Sequence, residues 1–273
     1  MSSAQTRGEV GRGSRRRRAD QYDDPNFNYL RYWYGRDYEH AAEELAIRRL
    51  LRGQRFTHAL DIGGGYGRLA VVLAHYAEDV TLVDPSRQQL DLAADYLADH
   101  PRITRKVMQA DDLTFADSSI DLSVMVRVLH HLPDPSSEFD EIARVLVPGG
   151  CAIIEVANYV HIRNRVRHLV RGERLPVDPV DIRSPHNRRS DTVPFVNHNP
   201  HTVARQLRDA GLRVDAALSV SNLRIPGVKR VLPRAVMLAV ERMLQKPLAP
   251  IFFGPSIFFL ARKHGLPGQA ATI

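Results

Sequence analysis

The sequence predicts an α/β fold, a mostly parallel sheet with helices on both faces and an antiparallel strand near the C-terminus, and three observations carry that expectation. From residue 57 onward, short apolar runs alternate with helical stretches, the rhythm of repeated strand-helix units. The first of these runs ends in a glycine-rich turn that opens a helix, a junction such units use. Two further apolar runs, Leu212–Val220 and Ile257–Ala261, come after the regular alternation has stopped and extend the sheet late in the chain.

Taken in order, residues 36–52 come first: Tyr38, Ala41, Ala42, Leu45, Ile47, Leu50 and Leu51 stand among charges at close to the spacing of an amphipathic helix. Strands are expected at His58–Ile62, Val80–Asp84, Ile103–Gln109, Ile120–Val128 and Cys151–Ala157. Helices are expected near Gly67–Tyr76, Arg87–Ala98 and Ser137–Leu146, the last ended by Pro148-Gly149-Gly150. Residues 159–199, with eight arginines, four prolines and little periodicity, read as an insertion shaped as a lid. A helix at Thr202–Ala210, closed by Gly211, leads into Leu212–Val220, and residues 228–247 form a second insertion with helical apolar spacing. The expected organisation is a tail over residues 1–24, then one domain over 25–273 with its core at 55–160. Crossovers of this length place ligands at the carboxyl ends of the strands, above Asp61, Asp84 and Gln109.

Composition narrows the class. Of 273 residues, 44% are hydrophobic and 25% charged, an ordinary globular balance. The net charge of +7 is mostly local, because residues 1–20 hold six arginines against Glu9 and Asp20 and supply +4 of it. Residues 1–24 lack apolar periodicity and are expected to be disordered. A body of only +3 offers little basic face for nucleic acid. Cys151 has no second cysteine to pair with and lies in an apolar run, so the cytoplasm is the expected compartment. No apolar run follows Arg15–Arg18 as a signal peptide would require, and Leu248–Ala261 is too short and too broken by prolines to span a bilayer.

The candidate site begins at Ala59-Leu60-Asp61-Ile62-Gly63-Gly64-Gly65-Tyr66-Gly67, a strand ending in an acid and followed by three alternate glycines. Such glycines permit a tight turn and bring a ligand against backbone N–H groups at a helix start. Asp84 follows at the end of the next strand, where a carboxylate can accept hydrogen bonds from both hydroxyls of a ribose. A dinucleotide site would place glycine or alanine three positions after Gly65, where Arg68 stands instead. The pattern therefore points to an adenosine group and away from NAD.

The chain resembles the class I S-adenosylmethionine-dependent methyltransferases, in particular the small-molecule branch related to ubiquinone and menaquinone biosynthesis. Leu60 to Gly67, Leu82-Val83-Asp84-Pro85-Ser86, Leu113 to Asp121, Val128 to Pro135 and Leu146-Val147-Pro148-Gly149-Gly150 carry the resemblance over about residues 55–160. It implies a Rossmann-like class I fold and S-adenosyl-L-methionine as cofactor. The methionine end would then sit at the turn of Asp61, Gly63, Gly65 and Gly67, and the ribose on Asp84. The adenine-binding acid of the family falls on Gln109, with Ala110 after it, a departure from the pattern; Asp111 takes that place if the alignment slips by two residues. Arg127, at the end of the fourth strand, either pairs with the cofactor carboxylate or reaches solvent.

A sulfonium methyl is already activated, so the protein mainly aligns the acceptor and excludes water. A hydroxyl or acidic-carbon acceptor also needs a base, and His130 and His131 lie just past the fourth strand, with His131 the preferred member. A helix-start role for the pair remains open. Val126-Arg127-Val128-Leu129 is not the Asn/Asp-Pro-Pro-aromatic motif of base amino methylation, so the expected partner is a small-molecule acceptor, amphipathic or anionic, with peripheral membrane contact compatible. Tyr29, Trp33, Tyr34, Arg36 and Tyr38 form an aromatic cluster that either folds over the methionine end or simply packs. A non-catalytic S-adenosylmethionine-binding protein and a protein- or RNA-directed methyltransferase are the competing readings. No metal site is expected.

Overall fold

The computed structural model describes residues 22, 33–189, 193–224 and 226–264. Most of the expected tail, together with Tyr29, lies outside these residues. Seven strands form the main sheet: β1 (Phe56–Ile62), β2 (Ala77–Asp84), β3 (Ile103–Val107), β4 (Ile120–Met125), β5 (Leu146–Ala157), β6 (Leu212–Val220) and β7 (Ser256–Lys263). Their order is β3-β2-β1-β4-β5-β7-β6, and β7 alone runs against its neighbours. This is a Rossmann-like arrangement whose strand order reverses between β1 and β4, so the crevice opens at their carboxyl ends.

Alternation along the strands builds two cores. One side of the sheet contributes Ala59, Cys151, Ile153, Phe258 and Leu260 to a layer covered by α1 (Asp37–Leu50), α2 (Ala70–Leu73) and α3 (Arg87–Tyr96). The other side contributes Leu60, Ile62, Ile154, Ile257 and Phe259 beneath α4 (Ser136–Val145) and α7 (Pro200–Asp209). Between α4 and α7 the chain forms α5 (Ile162–Arg171) and the five-residue α6 (Pro185–Arg189), with a short antiparallel pair of Val180–Asp181 and Val196–Asn197. After β6 come α8 (Pro226–Val231) and α9 (Arg234–Leu244).

Several boundaries differ from the sequence expectation, and four of them have a clear local reason. The expected helix at Gly67–Tyr76 is regular only over α2, because the turn itself uses the residues before Ala70. The helix α4 stops at Val145 without help from Pro148-Gly149-Gly150. Those residues lie within β5, where five steps along β5 from Leu146 to Cys151 match two steps along β4 from Ile120 to Leu122. Gly149, at φ +80°, takes part in this bulge. β4 ends at Met125 rather than Val128 because Arg127 adopts φ +61°, which breaks the extended backbone. β3 ends at Val107, and Gln109 instead bridges antiparallel to Asp112.

The second insertion packs on α1. Glu241 of α9 is buried and accepts hydrogen bonds from the Tyr38 hydroxyl at 2.7 Å and from the backbone N–H groups of Ser221 at 2.8 Å and Asn222 at 3.0 Å. Gln245 donates to the Ala42 carbonyl. These bonds satisfy a carboxylate whose burial raises its pKa, and they tie α9 to α1.

Candidate functional site

The glycine turn leaves β1 at the reversal point, and its geometry explains its composition. Gly63 sits at φ +63°, and a Cβ there would lie 2.3 Å from Cγ2 of Val128. At Gly64 a Cβ would meet Leu82 at 2.1 Å and the Asp61 carboxylate at 2.5 Å. Side chains are excluded by β2 and by the β4 end, and the backbone of the turn faces the crevice. The Gly67 N–H closes the turn on the Gly64 carbonyl at 3.0 Å.

Asp84 organises the neighbouring edge. Its carboxylate accepts from the Gly65 N–H at 3.0 Å and the Ser86 N–H at 2.9 Å. The Ser86 hydroxyl caps α3 by accepting from the Gln89 N–H at 3.2 Å. Met108, whose N–H donates to the Asp84 carbonyl, brings β3 and the following Gln109, Ala110 and Asp111 to the same end of the sheet. Of these three, Gln109 is exposed and the other two are half-buried.

Asp61 is fully buried, and its Oδ2 has no hydrogen-bond partner among the described residues. Burial raises its pKa to about 7, with Asp84 adding to the rise and Arg68 opposing it. A cation arriving beside this carboxylate would favour its ionised form, so cation binding and proton release from Asp61 are linked.

Behind the turn stands a charged cluster that sequence reasoning missed. Glu43 of α1 is buried between Arg68, which donates to it at 2.6 Å, and Arg127, which donates at 2.7 Å. Burial alone would raise the Glu43 pKa, but Arg127 and Arg68 outweigh it and hold the group below the usual carboxylate range. Both guanidiniums lie against the ring of Trp33, at 3.9 and 4.8 Å from its centroid. Arg127 is half-buried and braced on Glu43, and its backbone N–H donates to the buried Glu155 at 3.1 Å. Of the expected aromatic cluster, Trp33 covers these arginines, Tyr38 is spent on Glu241, and Tyr34 is exposed.

His130 and His131 form a single 3-10 turn, Leu129–His131, past the β4 end. His130 is buried, its ring 4.4 Å from that of Phe195. Burial, with His131 and Arg127 nearby, pushes its pKa well below the ordinary histidine value, so it stays neutral. His131 is half-buried. Its Nδ1 lies 3.0 Å from the Pro194 carbonyl, which can only accept, so Nδ1 carries the proton and Nε2 offers its lone pair. That lone pair faces the Tyr22 hydroxyl at 3.1 Å. The backbone carbonyl of Tyr22 accepts from the Ser86 hydroxyl at 3.2 Å and from the Gln89 side chain at 3.4 Å. Tyr22, expected only as part of the tail, therefore spans the crevice from the Asp84 edge to the histidine turn.

Residues 60–154 match the family model described as a methyltransferase domain. An uncharacterized methyltransferase of Mycobacterium tuberculosis is 36% identical over 91 residues, 33% of this chain and 36% of its own length. The ubiquinone/menaquinone biosynthesis C-methyltransferase of Rubrivivax gelatinosus is 31% identical over 102 residues, 37% of this chain and 40% of its own. The chain thus spans well under two thirds of these relatives' lengths. A solved chain from the complex of a Haloferax volcanii methyltransferase activator with a methyltransferase shares the fold at a TM-score of 0.58 and 20% identity, covering 86% of this chain and 93% of that one. No helix among the described residues is long and apolar enough to cross a membrane.

Proposed function

We propose that this chain, whose residues 60–154 match a methyltransferase domain, is a class I S-adenosylmethionine-dependent methyltransferase that transfers a methyl group to a small-molecule acceptor. The observation that carries the proposal is the paired arrangement of a buried, unpartnered Asp61 oxygen at the glycine turn and a His131 Nε2 held as an acceptor across the same crevice.

S-adenosylmethionine, when bound, supplies an electrophilic methyl on a sulfonium centre. The chain's residues fit such a group. Asp61 offers its orphaned oxygen to a cation at the methionine end, and the side-chain-free backbone of Gly63, Gly65 and Gly67 leaves room for a ligand there, their own N–H groups being bonded to Val83, Asp84 and Gly64. Arg68 and Arg127, both held by Glu43 behind the turn, would place positive charge near a cofactor carboxylate. Asp84 would accept the ribose hydroxyls, and Gln109, Ala110 or Asp111 would border the adenine.

On the acceptor side, the Pro194 carbonyl fixes the tautomer in which His131 Nε2 can take a proton from a hydroxyl or an acidic carbon. His130, kept neutral by burial, positions its neighbour against Phe195. Tyr22 covers the crevice and must turn aside or bridge when an acceptor enters. A neutral, polar pocket with one base suits phenols, enols and similar small organic acids. The free, buried Cys151 accords with a cytoplasmic enzyme.

The test is a labelled-methyl screen over phenols, quinols, acidic lipids and natural-product intermediates, read by mass spectrometry, with bulk protein and RNA included as competing acceptors. Label in a small organic compound is expected. Label confined to protein or RNA, or cofactor binding with no transfer at all, would contradict the small-molecule reading.

A further inference from the structure

The helix α5 is built inside out. At about 100° per residue, Ile162, Val166, Leu169 and Val170 fall in one stripe about 100° wide, the face a globular helix normally buries. Here that stripe faces solvent, with the four residues 38%, 52%, 79% and 81% exposed. The polar face is turned inward instead. Asn164 is buried and donates to the Tyr159 carbonyl at 2.7 Å, and His168 lies 3.3 Å from the Tyr159 hydroxyl. Gly172, in the left-handed conformation, caps the end of the helix, and the loops beyond expose Val177 and Ile182 as well.

Charge selects the occupant of this face. The helix, Ile162-Arg163-Asn164-Arg165-Val166-Arg167-His168-Leu169-Val170-Arg171, contains no acid. Arg163 borders the apolar stripe with Arg167 beyond it, while Arg165, on the other side, is half-buried and its Nε donates to the Val160 carbonyl. Arg163, Arg167 and Arg171 are exposed. The acid that follows, Glu173, is directed at His168, 3.4 Å away. A second copy packed face to face would oppose arginine to arginine. An anionic bilayer surface satisfies both the apolar stripe and its basic rim.

We propose that α5 docks this protein onto an anionic phospholipid surface and so presents the crevice to acceptors dissolved in the bilayer. The position supports the second clause. The helix follows directly from the carboxyl end of β5, the sheet end that carries the glycine and histidine turns, and the same insertion returns with Pro194 on His131 and Phe195 against His130. The docking itself stands independently of methyl transfer; the delivery of acceptor rests on that reading.

Sedimentation of the full chain with phosphatidylglycerol–phosphatidylcholine vesicles, and with phosphatidylcholine alone, tests the docking. Binding to the anionic vesicles only is expected. The variant V166S/L169S/V170S keeps every charge and alters exposed positions, so it should fold as the parent does, yet partition at least about 10-fold more weakly. R163Q/R167Q/R171Q should lose binding comparably, and added salt should weaken the parent. Parent-like binding by the serine variant would overturn the proposal by assigning attachment to charge elsewhere, such as the arginines of residues 15–18. A dimer seen by light scattering in the parent and lost in the serine variant would overturn it too, giving the face to a second copy. S-adenosylhomocysteine affinity, measured in all three proteins, should not change; its absence in the parent would count against the enzymatic reading and leave the docking result standing.

Discussion

Replacing His131 by alanine is expected to slow methyl transfer by about 10²–10⁴-fold while leaving S-adenosylmethionine affinity nearly unchanged, the range spanned by a positioned proton acceptor. The split follows from geometry. His131 touches Pro194 and Tyr22, whereas the turn and Asp84 lie on the opposite wall. Tyr22→Phe removes only the hydroxyl that faces Nε2 and should cost far less than His131→Ala, since the base survives. His130→Ala should act differently, loosening the packing against Phe195 and lowering stability along with rate. Single-turnover rates at saturating cofactor, beside calorimetric dissociation constants, separate these effects. Full activity in His131→Ala would return both histidines to a purely structural role at the start of the turn.

Glu43→Ala should be the most damaging single change to stability, about 3–5 kcal/mol, because it removes the buried carboxylate that pairs with both the buried Arg68 and the half-buried Arg127. Glu43→Gln keeps the shape and isolates the charge. Because the folded pKa of Glu43 lies below its unfolded value, its contribution is present above the ordinary glutamate range and is lost as pH falls through the folded value. The parent should therefore lose stability on acidification in a step that Glu43→Gln lacks. Urea unfolding at neutral and acid pH, with the slope m checked for constancy, measures both. A Glu43→Ala midpoint equal to the parent's would show that Arg68 and Arg127 find other partners.

What was legible in the sequence was local. Leu212–Val220 is the strand expected, end for end: its apolar residues recur despite a register shift between Val214 and Ala216, and Gly211 marks its start at φ +83°. The helix expected from Arg87 begins at that residue, where the structure shows the Ser86 hydroxyl capping it. The glycine turn could be read because its constraint is steric and every residue that imposes it lies close by in sequence or in the next strand. What escaped depends on long-range pairing. Glu43 stands 84 positions from Arg127, and nothing around it marks it as other than a surface acid of an amphipathic helix. Tyr22 contacts His131 across 109 positions from within a stretch whose composition argues against any fixed structure. Pro148-Gly149-Gly150 misled in another way, because the residues that break helices also build bulges, and only the register of β4 against β5 distinguishes the two. The arginine-rich insertion was legible as an insertion, while the outward turn of its apolar stripe required knowing that Asn164 and His168 face inward.

Calorimetric titration of the purified chain with S-adenosylmethionine and, separately, with NAD tests the central claim most directly. The account predicts binding of S-adenosylmethionine and none of NAD, with an affinity that is level above pH 7 and falls by up to about tenfold per pH unit below it, as the proton held by buried Asp61 competes with the incoming cation. Tighter binding of NAD, or an S-adenosylmethionine affinity indifferent to pH across that range, would contradict it.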